Sequence, residues 1–204
     1  MVEEMGSGLS LHLRQDGPIP FDAKFHCGPG EVLALVGPSG SGKSTMLRSI
    51  AGLYRALHGR ISCHGETWFN TESEIDWAPQ TRSVGLVFQN YALFPHMTAE
   101  RNIMAAMDHL RPSARKKRAS ELLTLVHLGG LESRYPIELS GGQQQRVAVA
   151  RALGRDPKVL LLDEPFSAVD RVTRQKLYRE LAELRRQLPI PVVLVTHDLD
   201  EAAM

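Results

Sequence analysis

The sequence predicts an α/β fold: a core with a mostly parallel sheet, a small N-terminal antiparallel β unit and an inserted α-helical subdomain. Three observations carry this expectation. Val159-Leu160-Leu161-Leu162 and Val192-Val193-Leu194-Val195 are uninterrupted apolar runs, the pattern of strands buried on both faces of a parallel sheet. A third apolar run, Val32-Leu33-Ala34-Leu35-Val36, is joined by a glycine-rich loop to an amphipathic segment beginning at Met46-Leu47. The stretch from about 98 to 140 reads as helical without strands, so a helical subdomain interrupts the mixed pattern.

With 204 residues, 43% of them hydrophobic and 23% charged, the chain suits one globular domain over 1–204. Lys plus Arg total 24 against 23 for Asp plus Glu, a formal charge of +1, so no global field draws the chain to nucleic acid or anionic lipid. No nucleic-acid partner is expected. Cys27 and Cys63 show no metal-ligand pattern and read as two reduced, buried thiols of a cytosolic protein. No apolar run approaches the ~20 residues that span a bilayer, and the N-terminus lacks the basic-then-apolar pattern of a signal peptide. The chain therefore reads as soluble, with any membrane role reached through a partner.

Taken in order, residues 1–8 look frayed, and Leu9-Ser10-Leu11-His12-Leu13 alternates as a half-buried strand does. Gln15-Asp16-Gly17-Pro18 turns the chain, and Phe21, Ala23 and Phe25 resume the alternation as far as Gly28-Pro29-Gly30. Then comes Gly37-Pro38-Ser39-Gly40-Ser41-Gly42-Lys43-Ser44-Thr45. A strand ending at Val36, glycines that let the backbone curl with its N–H groups inward, and a helix starting near Lys43 with its positive dipole end at the same point make a phosphate-binding loop. Lys43 would reach the terminal phosphates of a polyphosphate, the Ser44 hydroxyl would ligate the accompanying magnesium, and Thr45 packs. The alternative is a plain glycine-rich turn, and the strand and helix standing where the motif needs them argue against it. The fold class is thus a phosphate-loop NTPase core.

The helix is expected to run to about Leu53 and to dock Met46, Leu47, Ile50, Ala51 and Leu53 on the sheet. Residues 59–65 and 66–69 read as a hairpin, 70–82 as a loop, and Val84-Gly85-Leu86-Val87-Phe88 as a short buried strand with Gln89 at its exit. Tyr91, Leu93, Phe94, Pro95 and Met97 form an apolar cluster that Pro95 keeps from being one helix face. Loop-packing core and docking surface are both open readings of it. Thr98 or Ala99 starts a helix through about Met107, and Ser113 caps a second through Val126. Within it, Arg115-Lys116-Lys117-Arg118 with Glu121 reads as a solvated face.

Leu139-Ser140-Gly141-Gly142-Gln143 precedes a helix expected over 144–153, and is either a second anion site at a helix N-terminus or an ordinary N-cap. The run ending in Asp163-Glu164 places two carboxylates at the carboxyl end of a central parallel strand, where ligands of such sheets gather. In a phosphate-loop protein one such acid holds the magnesium shell and another orients or deprotonates a water; two helix-capping acids are the alternative. Leu177, Leu181 and Leu184 give 171–187 helical spacing, Pro189 ends it, and the strand at 192–195 delivers Thr196-His197-Asp198 to the same edge. The chain stops at Ala203-Met204, within the first turns of a further helix.

From about Leu9 to its end the chain resembles the ATPase subunit of ABC transporters. The likeness rests on the phosphate loop, a Gln at the end of an internal strand, Leu139-Ser140-Gly141-Gly142-Gln143, the apolar run with Asp163-Glu164, Ser167-Ala168-Val169-Asp170 and His197 in their joint order. The resemblance implies a magnesium-dependent ATP hydrolase, peripheral on the cytoplasmic face of the cell membrane. It implies that Ser140, Gly141, Gly142 and Gln143 bind the γ-phosphate of ATP held by the other subunit, so that a homodimer or paired ATPase subunit sandwiches two ATP molecules head to tail. By motif, Gln89 links magnesium and the attacking water to the helical subdomain, Asp163 supports Mg2+, Glu164 is the general base or water orienter, His197 contacts the γ-phosphate and Asp170 signals across the dimer.

Gln89 through Thr98 looks like the importer branch, in which this loop docks a transmembrane permease subunit and a substrate-binding protein is served indirectly. The run from Asp163 to Asp170, with Phe166 and Val169, resembles ATPases of molybdate, sulfate and related oxyanion importers, and polyamine, sugar and iron importers share most of it. Two departures stand out. The family stacks adenine on an aromatic after the first strand, whereas Arg14-Gln15-Asp16-Gly17 offers none and Phe21 is the nearest candidate. Family members also continue past the histidine strand, so the chain is expected to lack the family's C-terminal end. The competing classes are a soluble non-transport ABC ATPase and a truncated nucleotide-binding fragment without turnover.

Overall fold

In the computed structural model, residues 7–17, 19–166, 183 and 188–197 are described. The elements run β1 (Leu9–Gln15), β2 (Phe21–Cys27), β3 (Val32–Val36), α1 (Lys43–Ile50), β4 (His58–Cys63), β5 (Glu66–Asn70), β6 (Ile75–Asp76), β7 (Val84–Val87), α2 (Ala99–Met104), α3 (Pro112–Leu125), a 3-10 turn (Pro136–Glu138), α4 (Gly141–Leu153), β8 (Val159–Asp163) and β9 (Val192–Thr196). The run Ser167-Ala168-Val169-Asp170, the expected helix over 171–187, Asp198 and the terminal turns at 203–204 lie outside the described residues, as do residues 1–6.

Two sheets divide the strands by sequence pattern. β1 alternates, burying Leu9, Leu11, Leu13 and the polar Gln15 while Ser10, His12 and Arg14 turn the other way, and it pairs antiparallel with β2 and β4. The full antiparallel order is β2-β1-β4-β5-β6. The antiparallel unit is therefore larger than the N-terminal one expected, because the hairpin after α1 returns to pair with β1. It also draws in β6, inside the stretch expected to be loop: two residues show no periodicity, and only their pairing with Phe69 and Asn70 makes them a strand.

The other sheet, in the order β3-β9-β8-β7, is parallel at every junction. Every residue of β8 and β9 is buried. Alternation explains how: Leu160, Leu162, Val192 and Leu194 join one core with α2, α3 and α4, while Val159, Leu161, Val193 and Val195 join a second core with α1 and the antiparallel sheet. Apolar residues at every position of both strands are what two cores on opposite faces require.

Four helix boundaries differ from expectation, the first being α2, which ends at Met104 and not near Met107 because Ala106 and Met107 close tighter i→i+3 turns onto Ile103 and Met104. α1 stops at Ile50, since Gly52 takes φ 75° and turns the chain out, which leaves Leu53 51% exposed instead of docked. Ser113 lies inside α3 and does not cap it: Arg111 occupies the N-cap without a side-chain bond, and Pro112 takes the first helical position that suits its fixed φ. α4 begins at Gly141, three residues earlier than expected, because Ser140 is its cap. Thr98 does cap α2, accepting from the Arg101 N–H. Arg118 meets Glu121 at 3.5 Å and Asp156 at 2.7 Å, and Arg115 folds back onto the Leu110 and Asp108 carbonyls. Cys27 and Cys63 are free and buried, and burial pushes the Cys63 thiol up to about 12. Among the described residues, no helix is long and apolar enough to cross a membrane.

Arg82, which no local pattern marks, closes α1 from behind. It is 4% exposed and donates to the Ser49, Ile50 and Trp77 carbonyls at 2.6, 3.0 and 2.9 Å and to Asp76 Oδ1 at 3.1 Å. A cation thus sits at the negative end of the helix whose positive end opens at the glycine loop. Desolvation lowers its guanidinium pKa from the usual value, and Asp76 opposes that shift. Arg82→Met keeps the stem but takes the charged donor from three carbonyls, of which Ser49 keeps the Gly52 N–H, and leaves Asp76 to Arg55, so a loss of about 2 kcal/mol is expected. Thermal melting checks this, and an unchanged midpoint would show that the α1 end needs no cation.

Candidate functional site

Parallel register puts the chemistry on one edge. Val36 pairs with Thr196, Asp163 with Val195 and Val87 with Leu162, so the chain leaves four neighbouring strands at nearly one level. The glycine loop, Gln89, Asp163-Glu164 and His197 all follow those ends, the position where open α/β sheets bind ligands.

The loop needs glycine where the backbone turns left-handed, at Gly40 with φ 82° and Gly42 with φ 89°. Gly42 also lies so close to Phe21 and Ile19 that an added Cβ would stand 3.0 Å from the Phe21 ring. The nearest aromatic in sequence is thus packed against the loop. Gly42 is the N-cap of α1 and has no capping side chain, so the first-turn N–H groups of that helix face the loop. Lys43 arches back over it: Nζ donates to the Gly37 and Pro38 carbonyls at 2.7 and 2.8 Å and to Ser41 Oγ at 3.4 Å.

The two carboxylates are held differently. Asp163 is 9% exposed and accepts from Ser44 Oγ at 2.8 Å, so a hydroxyl and a carboxylate meet beside the loop. Glu164 takes φ 44°, a left-handed conformation uncommon for a residue with a Cβ, while its N–H continues the strand pairing to the Val195 carbonyl at 3.0 Å. Its Oε2 accepts from Gln89 Nε2 at 3.4 Å and lies 3.4 Å from His197 Nδ1. The Glu164 side chain is 23% exposed and that of His197 58%, so water reaches this cluster.

Ser140 to Gln143 stand apart from that cluster. Ser140 Oγ accepts from the Gln143 N–H at 3.3 Å, and Gln143 Oε1 accepts from the Ser140 N–H at 2.9 Å. This is a capping box, so the N-cap reading describes the motif within this chain. A Cβ added at Gly141 would meet nothing within 4 Å, which leaves the helix start open to an outside group.

The apolar cluster after Gln89 divides: Tyr91 is 5% exposed and belongs to the core, whereas Phe94 is 41% exposed. Two residues that sequence reading missed hold this loop, Asn102 and Arg151. A buried Asn within an otherwise apolar helix face was the available signal for the first; nothing local marks the second.

Sheet order, loop and edge define a phosphate-loop NTPase core. The chain belongs to the ABC transporter family, whose profile matches residues 21–167. It is 49% identical over 191 residues to a protein named sulfate/thiosulfate import ATP-binding protein CysA from Mesorhizobium japonicum, covering 91% of this chain and 54% of that protein. It is 50% identical over 202 residues to the protein of the same name from Xylella fastidiosa, covering 96% and 52%. Among solved structures it is similar to the dimeric post-hydrolysis state of the ATP-binding cassette MJ0796 bound to ADP and Pi, with a TM-score of 0.74, 31% identity, and coverage of 95% of this chain and 90% of that one. The chain spans about half the length of the curated relatives it matches.

Proposed function

We propose that this chain is the ATP-binding and ATP-hydrolysing part of an oxyanion importer, with sulfate or thiosulfate as cargo. The observation that carries the reading is the pairing of Ser44, from the glycine loop, with Asp163 while, on the next residue, Gln89 and His197 converge on one Glu164 oxygen. Ser44 Oγ and Asp163 Oδ1 are hard oxygen donors 2.8 Å apart, a donor set that fits magnesium. When bound, Mg2+ supplies charge neutralisation and polarisation at the phosphate oxygens. Lys43 exchanges its loop carbonyls for the terminal phosphates, and the first-turn N–H groups of α1 take the remaining oxygens. Glu164 accepts the proton of the attacking water or orients it, and Gln89 and His197 hold that carboxylate in place.

Cargo and partners follow from the likeness. The relatives above carry sulfate and thiosulfate in their names, which favours these dianions over molybdate. The open start of α4 supports Ser140–Gln143 as the contact to ATP on a second ATPase subunit, and the solved neighbour is dimeric. A permease subunit at the cytoplasmic face of the cell membrane, with a substrate-binding protein beyond it, completes the assembly. Phosphate release from Mg-ATP tests the hydrolase. Co-purification with a membrane subunit tests transport, and a chain that turns over ATP but binds no such subunit would favour a soluble ABC ATPase.

Phe94 is the residue proposed to dock that subunit. Phe94→Glu is expected to uncouple hydrolysis from transport while basal hydrolysis stays near wild type, because its backbone is held by Asn102 whatever its side chain. Transport and phosphate release measured together check this. A variant that fails to fold would return Phe94 to the core.

A further inference from the structure

Two side chains from different helices grip the arm that begins at Gln89. Arg151, in the last turn of α4, donates Nη1 to the Ala92 carbonyl at 2.7 Å and Nη2 to the Tyr91 carbonyl at 2.8 Å, and its guanidinium carbon lies 5.5 Å from the Phe94 ring centroid. Tyr91 and Ala92 have φ of 59° and 45°, a left-handed pair that residues with a Cβ adopt only when something holds them there. Arg151 bonds the carbonyls of that very pair. A basic residue in a last helical turn usually serves its own helix, but these donors go to another segment.

From the other side comes Asn102 of α2, fully buried. Its Oδ1 accepts from the Phe94 N–H at 2.8 Å, and its Nδ2 donates to the Phe94, Met97 and Thr98 carbonyls at 3.1, 3.0 and 3.1 Å. Both amide hydrogens are engaged, one of them shared between carbonyls, and the arm is bound to two helices at once. Its root is Gln89 on Glu164; its tip is the exposed Phe94 ring. At the far end of α4, a rod of roughly 20 Å, stand Ser140 to Gln143.

We propose that Arg151, seconded by Asn102, is a positioning residue that makes α4 and the arm at 89–97 one mechanical unit. Displacement at the Ser140 end of α4 is then carried to Gln89 beside Glu164 and to Phe94 together. What that motion serves rests on the proposed function; the clamp itself does not. Arg151 touches neither nucleotide-binding residues nor reacting atoms, so its removal acts on turnover and leaves ATP affinity alone.

The test is hydrogen exchange on the full chain, read for the amides of 90–97 against those of β8, together with kcat and KM for ATP. In Arg151→Met the 90–97 amides are expected to exchange at least ~10-fold faster with β8 unchanged, and kcat to fall with KM unchanged. Arg151→Lys keeps the charge but loses the planar fork, so it gives an intermediate result. Uniform acceleration in both regions would make Arg151 a general stabiliser and overturn the proposal. Wild-type exchange at 90–97 overturns it equally, as does selective loosening with an unchanged kcat. Should the methionine variant not fold, the lysine variant decides by the same readouts. A wild-type chain that hydrolyses no ATP fails the proposed function instead, and the exchange of 90–97 still decides whether Arg151 holds the arm.

Discussion

Glu164→Gln is expected to bind Mg-ATP with wild-type affinity and to hydrolyse it at least ~100-fold more slowly, the lower end of what a positioned base contributes. In the proposed mechanism the two acids at the end of β8 divide the work. Asp163 is 9% exposed and tied to the Ser44 hydroxyl at 2.8 Å, which suits the role proposed for it on the metal side as a fixed negative charge. Glu164 is turned by its φ of 44° towards Gln89 and His197, where water has access. A glutamine there still accepts from Gln89 and meets His197, so the geometry stays while the base is lost. In that mechanism binding rests on Lys43, the loop amides and the Ser44–Asp163 pair, none of which the substitution touches. The ATP-bound variant is expected to accumulate as a dimer, and Asp163→Asn is expected to weaken the magnesium dependence. Nucleotide titration alongside phosphate release measures both quantities. Equal turnover in wild type and variant would remove Glu164 from the mechanism and leave His197 or the γ-phosphate itself as the base.

Lys43→Ala is expected to abolish Mg-ATP binding. The ammonium is already poised over the loop by the Gly37 and Pro38 carbonyls. Alanine would remove the ammonium aimed at the terminal phosphates and leave backbone dipoles and the metal to carry their charge. For the wild type, ligand at ~100 times its dissociation constant adds about 2.7 kcal/mol of stability. The variant is expected to show no melting shift with Mg-ATP at that concentration. A full shift would mean that the loop does not bind the nucleotide through Lys43.

The glycine loop, the strands that precede it and the two fully buried strands were legible from sequence alone. Each is written within a few neighbouring residues: a period of two in β1 and β2, apolar residues at every position of β8 and β9, glycines at the left-handed turns of Gly40 and Gly42. The capping of α2 by Thr98 was equally local, whereas the proline that starts α3 overrode the Ser113 cap. Which groups meet depended on the fold in three dimensions. Parallel register brings Gln89, Asp163-Glu164 and His197 to one edge although long stretches of chain separate them, and pairing alone makes a strand of β6. Arg82 at the end of α1, and Asn102 and Arg151 on the arm, act through bonds to backbone carbonyls of other segments. Every residue has a carbonyl, so such a partner leaves no mark in the sequence, and only the fold selects which carbonyl a side chain reaches.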